Sequence, residues 1–275
     1  MYDIAVVGAG PAGYSAAIQA RKRGKSVIII GQNTGWLSRA ERIDNYPGMP
    51  GVSGPEMLRV MQEQASAMGA EEREGLVHQI IPMGGSFSLS LGANFVEARR
   101  VILCTGARQP RLLPGEAEFL GRGVSYCATC DGRFYKGKHI AIIAKGEEAI
   151  YDTNYLAGLC ARIDFYGVPD PEIDPHIIVH SEKVTAITGE DRAQALIADG
   201  EERRYDGVFI FREAMALSAL LSGIETEGTF IRVDRRMATS VPGVFAAGDC
   251  TGLPLQVAKA VGEGCVAALS AAQEL

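Results

Sequence analysis

No apolar run in this 275-residue sequence approaches the roughly 20 residues that cross a membrane. Its six cysteines are too sparse for a secreted disulfide scaffold. Its formal net charge of −6 leaves no general basic field for nucleic acid. We also expect no signal peptide, because Met1 leads straight into a predicted strand. The composition therefore predicts a soluble, cytoplasmic protein that binds neither nucleic acid nor a membrane.

A glycine-rich turn stands near the start of the chain, Gly8-Ala9-Gly10-Pro11-Ala12-Gly13. It lies between an apolar run over 4–7, predicted as a buried strand, and a predicted helix over 11–23. In this order Gly8 permits the tight turn, Gly10 lets the backbone approach a pyrophosphate, and Gly13 lets the helix pack on the strand. The free N–H groups at the helix N-terminus attract the phosphates. The turn therefore predicts a dinucleotide site, although Gly31-Gln32-Asn33 stands where an acidic ribose ligand is expected.

Two later segments extend this site. Thr105-Gly106-Ala107 ends a predicted buried strand, and Gly248-Asp249 ends another, far downstream. A strand ending in Gly-Asp can bring a carboxylate to the hydroxyls of a bound nucleotide, while the glycine allows close backbone approach. The last predicted helix, over 256–272, is rich in alanine and glycine, which suits packing against a ring system. The C-terminal residues are therefore expected to complete the N-terminal domain.

The predicted fold is α/β, with two Rossmann-like three-layer domains. The second, a degenerate nucleotide-binding domain over residues 113–239, is inserted into the first, which comprises residues 1–112 and 240–275. A hydrophobic content of 47% is enough for two modest cores.

A cysteine pair lies in the inserted domain, in Cys127-Ala128-Thr129-Cys130-Asp131. Two intervening residues let the pair close a small ring locally, so that its oxidation and reduction are reversible. Half a zinc site is the alternative, but no second such pair follows and no histidine pair has suitable spacing, so we predict no metal. A purely structural interpretation of Asp131 is that its side chain caps a helix. The other four cysteines lie in apolar or small-residue surroundings and are predicted to be inert: Cys104, Cys160, Cys250 and Cys265.

The order of these motifs resembles that of the low-molecular-weight thioredoxin reductases, over nearly the whole chain. The glycine turn, Asn45-Tyr46-Pro47-Gly48, Thr105-Gly106-Ala107, the segment 127–131 and Gly248-Asp249 carry the resemblance. Within that family the chain is most similar to flavin enzymes that take electrons from ferredoxin, through the segments 126–131, 154–157, 247–252 and 260–264.

The resemblance implies FAD as cofactor, a homodimer, and thioredoxin or a related dithiol protein as substrate. It implies that Cys130 faces the flavin, that Cys127 attacks the substrate disulfide, and that Asp131 is the acid/base for the thiols. The cofactor-binding residues that it implies are Gly8, Gly10, Pro11, Ala12, Gly13, Gln32, Asn45, Val77, Thr105, Gly106, Ala107, Gly248, Asp249, Gln256 and Val257.

The inserted domain has no second glycine turn of the kind that holds NADPH in relatives. Ala144-Lys145-Gly146-Glu147-Glu148-Ala149 stands in that place. Glu147 and Glu148 would satisfy the helix dipole themselves and repel a pyrophosphate, each such interaction being worth roughly 0.3–1 kcal/mol. The next predicted strand, over 162–166, leads to the acidic, proline-stiffened segment 167–172 instead of a basic clamp for a 2′-phosphate. We therefore expect ferredoxin, and not NADPH, to be the electron donor.

Other interpretations remain open at this point. One is a disulfide oxidoreductase that uses NADPH through an unusual site or exchanges electrons through a second flavin. Another is a non-catalytic flavoprotein whose cysteine pair senses redox state or docks a partner. An acidic ferredoxin would need a local basic surface, and the candidate clusters are Arg21-Lys22-Arg23 with Lys25, Arg99-Arg100, Arg133 with Lys136 and Lys138, and Arg232 with Arg235-Arg236.

Overall fold

A computed structural model describes residues 1–32, 35–92, 94–107, 112–145, 149–212 and 217–275, without the side chains of Trp36, Lys145, Arg212 and Ser218. The strands are β1 (Tyr2–Val7), β2 (Val27–Gly31), β3 (Glu71–Glu74), β4 (Gln79–Pro82), β5 (Phe87–Leu91), β6 (Asn94–Leu103), β7 (Val124–Ser125), β8 (His139–Lys145), β9 (Arg162–Tyr166), β10 (Ile178–His180), β11 (Val184–Gly189), β12 (Ala193–Ala198), β13 (Glu201–Arg204), β14 (Gly207–Arg212), β15 (Thr226–Glu227), β16 (Phe230–Ile231) and β17 (Val244–Ala246). The α-helices are α1 (Pro11–Lys22), α2 (Gly54–Ala67), α3 (Glu116–Phe119), α4 (Ala128–Asp131), α5 (Ala149–Ala157), α6 (Leu217–Leu220) and α7 (Val257–Gln273). Single 3-10 turns span Trp36–Arg39, Gly132–Tyr135 and Asp249–Thr251.

The chain divides into two compact units. Unit 1 comprises Met1–Leu91, Phe95–Gln109 and Leu220–Leu275, and unit 2 comprises Gly92–Asn94 and Pro110–Ala219. The segment 220–239, which the sequence assigns to the inserted domain, belongs here to unit 1. It does so because Ala238 bridges Phe245 of β17, and the hairpin of β15 and β16 precedes that bridge. The compact second unit therefore ends earlier than the predicted inserted domain.

Unit 1 is built on a sheet in the order β3-β2-β1-β6-β5-β4, with β17 also paired to β6. Strands β1, β2, β3, β6 and β17 run parallel, and β4 pairs with β5 antiparallel. Four successive residues of β1 and four of β2 are buried, which is the pattern of a central parallel strand covered on both faces. The parallel strands thus bring their carboxyl ends to one edge of the sheet.

Helices α1 and α7 pack closely in unit 1 because small residues face each other. A Cβ atom added to Gly264 of α7 would lie 2.2 Å from the carbonyl oxygen of Ala12 in α1, which is closer than any real contact. Ala16, Ala17, Ala267 and Ala268 are buried in the same core. The alanine and glycine content of the last helix therefore serves helix–helix contact in this structure.

Unit 2 carries a five-stranded parallel sheet in the order β10-β9-β8-β14-β7 and an antiparallel sheet of β11, β12 and β13. Successive residues of β8 point to opposite faces. Ile140 and Ile142 pack in a core with Leu156 of α5, whereas Ala141 and Ile143 pack in a core with β11 and β12. This alternation gives unit 2 a layer on each face of its parallel sheet.

Both units are thus α/β, as the sequence predicts. Strand β8 continues through Ala144 and Lys145, which pair with Phe211 and Arg212 of β14. Strand β6 ends at Leu103, before the predicted small-residue turn. No helix in the described ranges is both long and apolar enough to span a bilayer.

Candidate cofactor site and redox disulfide

The carboxyl ends of four parallel strands align the predicted cofactor residues in unit 1. Beyond the strands the ladder continues through backbone hydrogen bonds from Gly8 N to Ile30 O (2.7 Å), Cys104 N to Val7 O (2.7 Å) and Ala247 N to Leu103 O (2.9 Å). These bonds place the residues after β2, β1, β6 and β17 side by side at one edge. In open α/β sheets this edge is where nucleotides bind.

The turn between β1 and α1 has the shape of a phosphate cradle. Gly8 has φ +123°, and a Cβ atom there would lie 2.1 Å from the carbonyl oxygen of Cys104. A Cβ atom on Gly13 would lie 2.0 Å from the carbonyl oxygen of Gly8, so only glycine lets the helix approach the strand. Gly10 faces open space, and in this described turn α1 begins without a side-chain cap or an acidic residue. Its N-terminal N–H groups are therefore free to receive an anion.

The turn after β17 presents a buried carboxylate at the same edge. Gly248 has φ +89°, and a Cβ atom there would lie 2.9 Å from the Cβ atom of Ala12. The Oδ1 atom of Asp249 is buried, and no described group forms a hydrogen bond with it. Burial raises the pKa of this carboxyl, against the opposing effect of Lys259. An unpartnered buried acceptor beside an open phosphate cradle fits a dinucleotide that carries a polyol hydroxyl.

The remaining predicted cofactor residues also lie in unit 1. Gln32 directly follows β2, and Thr105, Gly106 and Ala107 follow β6 after Cys104. The Asn45 Nδ2 atom donates a hydrogen bond to Oε1 of Gln256 (2.8 Å), so these two residues meet across 211 positions of sequence. Gln256 is the N-terminal cap residue of α7, and Val257 begins that helix. Val77 is buried in the segment between β3 and β4.

Cys127 and Cys130 form a disulfide at the start of α4 in unit 2. Their Sγ atoms lie 2.07 Å apart, and their Cα atoms lie 5.3 Å apart. The N–H group of Cys130 points to Cys127 Sγ at 3.2 Å, an arrangement that stabilises negative charge on that sulfur when the pair is reduced. Cys127 is buried, whereas Cys130 is exposed.

Asp131 is held by a residue that the sequence did not single out. The Ser125 hydroxyl donates to Asp131 Oδ2 at 2.6 Å and accepts from the N–H group of Cys127 at 3.1 Å. Ser125 is buried at the end of β7, and this polar residue inside an otherwise buried run was the signal available. The Asp131 side chain forms no cap bond to the following 3-10 turn. The cap interpretation of Asp131 therefore has no support, and Ser125 ties the carboxylate to the cysteine pair.

The place of the second nucleotide turn is only partly described. Gly146, Glu147 and Glu148 lie outside the described residues, as does the side chain of Lys145. The segment after β9 is described: Asn154 of α5 donates to the carbonyl oxygen of Glu172 (2.7 Å) and accepts from the N–H group of Asp174 (2.9 Å). The buried Ile173 anchors the segment in the core. An acidic loop is thus fastened to α5 after β9.

Three of the other four cysteines have features of poor nucleophiles. Cys104 and Cys250 are buried, and burial raises the pKa of the Cys250 thiol to about 11. Burial also raises the pKa of the half-buried Cys160 thiol to about 11. Within the described ranges no cluster of three or more His, Cys, Asp or Glu side chains can hold a metal ion.

The chain is similar to known proteins over nearly its whole length. The family model for pyridine nucleotide-disulphide oxidoreductases matches residues 2–146 and 177–264. Thioredoxin reductases of Bacillus subtilis (strain 168) and Treponema pallidum (strain Nichols) are 33% and 35% identical, over 98% of this chain and 93% and 96% of theirs. The crystal structure of a ferredoxin-flavin thioredoxin reductase from Clostridium acetobutylicum matches with a TM-score of 0.89 at 38% identity, over 99% of this chain and 97% of that chain. The predicted fold class of two Rossmann-type domains is thereby confirmed, and the chain belongs to the pyridine nucleotide-disulphide oxidoreductase family, as a homologue of the thioredoxin reductases.

Proposed function

We propose that this protein is an FAD-dependent reductase of thioredoxin that receives its electrons from ferredoxin and passes them through the Cys127–Cys130 disulfide. The acidic loop after β9 carries the proposal most directly. Asp170, Glu172 and Asp174 occupy it, and Asn154 fastens it to α5. Carboxylates here would repel the 2′-phosphate of NADPH, so we expect NADPH to bind weakly to unit 2.

The structural comparison supports the same donor. The crystal structure that matches this chain with a TM-score of 0.89 is that of a ferredoxin-flavin thioredoxin reductase. The family match does not separate the two donors, because it includes residues 144–146, the predicted place of a second nucleotide turn, and leaves out residues 147–176.

The residues of unit 1 fit FAD in defined ways. The turn over 8–13 and the N-terminus of α1 would hold the pyrophosphate, and Asp249 would accept a hydrogen bond from a ribityl hydroxyl. When bound, FAD supplies the exchange between single-electron and two-electron chemistry that a ferredoxin donor and a disulfide acceptor require.

The proposed steps at the cysteine pair account for every electron, proton and disulfide bond. Two electrons and two protons convert the Cys127–Cys130 disulfide to a dithiol. Cys127, as thiolate, then attacks the disulfide of thioredoxin, forming a mixed disulfide and releasing one thioredoxin thiolate. Cys130 attacks the mixed disulfide, which restores the Cys127–Cys130 bond and releases dithiol thioredoxin. Asp131 gives and takes the protons of these thiols, in an orientation that Ser125 holds.

Burial of Cys127 sets a condition on this sequence of steps. Cys127 is a buried residue while Cys130 is an exposed one, so attack on thioredoxin requires Cys127 to become accessible after reduction. The exposed Cys130 is the competing candidate for the attacking thiol, and single Cys→Ser variants distinguish the two.

Purified protein is expected to be yellow and to hold one FAD per chain, because the phosphate cradle and the buried Asp249 carboxylate are both present in unit 1. Absorbance of the flavin released by acid, against protein concentration, measures this. A folded, colourless preparation that takes up no added FAD would contradict it.

Ser125→Ala should lower thioredoxin reduction about tenfold while leaving FAD content unchanged, since a hydrogen bond to a charged group is worth about 1.5–3 kcal/mol and the cofactor residues lie in unit 1. Steady-state turnover with oxidised thioredoxin gives the comparison. Thr185→Ala is the matched control, because it removes an exposed hydroxyl of unit 2 that, among the described groups, bonds the Ile197 carbonyl oxygen. Equal rates for the two variants would remove Ser125 from the mechanism.

A turnover assay with reduced ferredoxin beside NADPH tests the proposed function as a whole. The family's description names a pyridine nucleotide, and this favours an NADPH-dependent enzyme as the second candidate. Thioredoxin reduction with ferredoxin and not with NADPH supports the proposal, and the reverse supports the second candidate.

We also propose, from the resemblance, that the protein is a homodimer in the cytoplasm and that it has an inserted domain, whose end the sequence predicts at residue 239, whereas the compact unit 2 ends at Ala219. Sedimentation equilibrium measures the oligomeric state directly, and a monomer at micromolar concentration would contradict it.

A further inference from the structure

Lys259 and Glu263 form a partly buried ion pair on α7. The Lys259 Nζ atom lies 3.1 Å from Glu263 Oε2, and their side chains are 15% and 20% exposed. Their spacing of four residues is common for ion pairs on helices, but most such pairs are exposed and contribute little. This pair is largely shielded from solvent and lies beside the turn at Gly248, so a role in that turn is a better explanation for it.

The pair holds the two peptide groups that flank Gly248. Glu263 Oε2 accepts the N–H group of Gly248 at 2.9 Å, and Lys259 Nζ donates to the carbonyl oxygen of Gly248 at 2.9 Å. The Thr251 hydroxyl completes the cluster, 2.7 Å from Glu263 Oε2 and 3.0 Å from Lys259 Nζ. One lysine and one carboxylate thus restrain both sides of a single glycine.

Gly248 needs that restraint because of its conformation. Its φ of 89° and ψ of −151° lie in a region that essentially only glycine adopts, and glycine has more freedom to leave its native conformation than any other residue. Asp249 follows immediately, with its buried Oδ1 atom unpaired among the described groups. A rotation at Gly248 would move the Asp249 carboxylate away from the cofactor edge.

We propose that Lys259 and Glu263 are positioning residues of the FAD site, and that they hold Asp249 in place by clamping the peptides on both sides of Gly248. This rests on the proposed FAD dependence. The pair also places a cation beside two carboxylates, since Lys259 acts on both Glu263 and Asp249. On this proposal the individual charges of Lys259 and Glu263 also act on the bound flavin.

Three variants separate these roles. Lys259→Met leaves Glu263 and Asp249 without their cation, and we expect its FAD dissociation constant to rise about tenfold or more. Glu263→Gln keeps an oxygen for the Gly248 N–H group and loses only the charge, so a smaller rise is expected. The double variant K259M/E263Q leaves no unpaired charge of the pair and should bind FAD more tightly than K259M alone.

The midpoint potential of the bound flavin distinguishes positioning from bulk stability. A negative charge left by Lys259→Met disfavours the electron-rich reduced flavin, so its potential should fall. Glu263→Gln leaves a positive charge, so its potential should rise, and the double variant should lie between them. A purely structural pair would lower the melting temperature in both single variants without opposite shifts of potential.

The control is the pair Arg59–Glu63 on α2, which has the same four-residue spacing in unit 1 but is 53% and 62% exposed. Arg59→Met and Glu63→Gln should change neither FAD affinity nor potential. The proposal is overturned if wild-type protein binds FAD and the Lys259 and Glu263 variants match these controls in both measurements. If wild-type protein itself binds no FAD, the proposed function fails, and that result is distinct from failure of the clamp alone.

Discussion

Cys130→Ser and Cys127→Ser should each reduce turnover with thioredoxin about a thousandfold or more, because a single sulfur cannot cycle between disulfide and dithiol. Only one of them should capture the substrate. In Cys130→Ser the remaining Cys127 thiol can form a mixed disulfide that no second cysteine resolves. In Cys127→Ser the attacking thiol itself is missing, although Cys130 is the more exposed residue of the two in the structure.

Capture is measured with a thioredoxin that keeps one active-site cysteine, activated by a thionitrobenzoate leaving group. A covalent adduct in Cys130→Ser and none in Cys127→Ser, detected by intact mass, is the expected result. Cys160→Ser is the control and should retain normal turnover, since burial raises the pKa of that thiol to about 11 and leaves almost no thiolate at neutral pH. An adduct in Cys127→Ser alone would reverse the roles of the two cysteines. Near-normal turnover in either active-site variant would refute the dithiol mechanism.

Reduced ferredoxin should bleach the flavin rapidly, whereas NADPH and NADH should bleach it extremely slowly. The physical reason lies in unit 2, where the loop after β9 presents Asp170, Glu172 and Asp174 instead of a basic clamp, and Asn154 holds that loop on α5. Rapid mixing, with flavin absorbance as the signal, measures both half-reactions on the same protein. Prompt bleaching by micromolar NADPH would contradict the ferredoxin proposal and identify the protein as an NADPH-dependent reductase.

Partial repair of the nucleotide turn sharpens this comparison. Ala144→Gly with Lys145→Gly should not restore reduction by NADPH, because the acidic loop remains and both residues belong to β8, where they pair with β14. Reduction by ferredoxin should slow as added salt brings the Debye length below roughly 8 Å, as expected when opposite charges guide the encounter. A rate that is independent of salt would argue against a basic docking surface. Rescue by the two glycines would show that the turn alone excludes NADPH.

The local motifs could be predicted from the sequence because short-range chemistry determines them. Gly8, Gly10 and Gly13 require only a strand, a turn and a helix in succession, and the structure has β1 and α1 on either side of them. Cys127 and Cys130 are close enough in sequence to pair without help from the rest of the fold, and they form the disulfide. The strand over 162–166 could likewise be predicted from its own apolar pattern.

Contacts between distant positions could not be read in this way. Asn45 meets Gln256 across 211 residues, and Asn154 reaches the loop that contains Glu172 and Asp174 only because α5 packs beside β9 and its loop. The extension of β8 through Lys145 required the ladder with β14, about 60 residues later in the chain by the strand bounds. Such partners depend on sheet order and helix packing, which a linear pattern does not contain.

The residues that orient the reacting groups show most clearly which features the sequence determines and which only the tertiary structure decides. The glycine turns and the cysteine pair were determined by the order of amino acids, because each works through its own backbone or its near neighbour. Ser125 became relevant to Asp131 only when β7 and α4 were brought together, and Lys259 and Glu263 became relevant to Gly248 only when α7 packed beside the end of β17. Side-chain hydrogen bonds act over about 3 Å, so the tertiary structure decides which of many polar residues come within that distance of a reacting group.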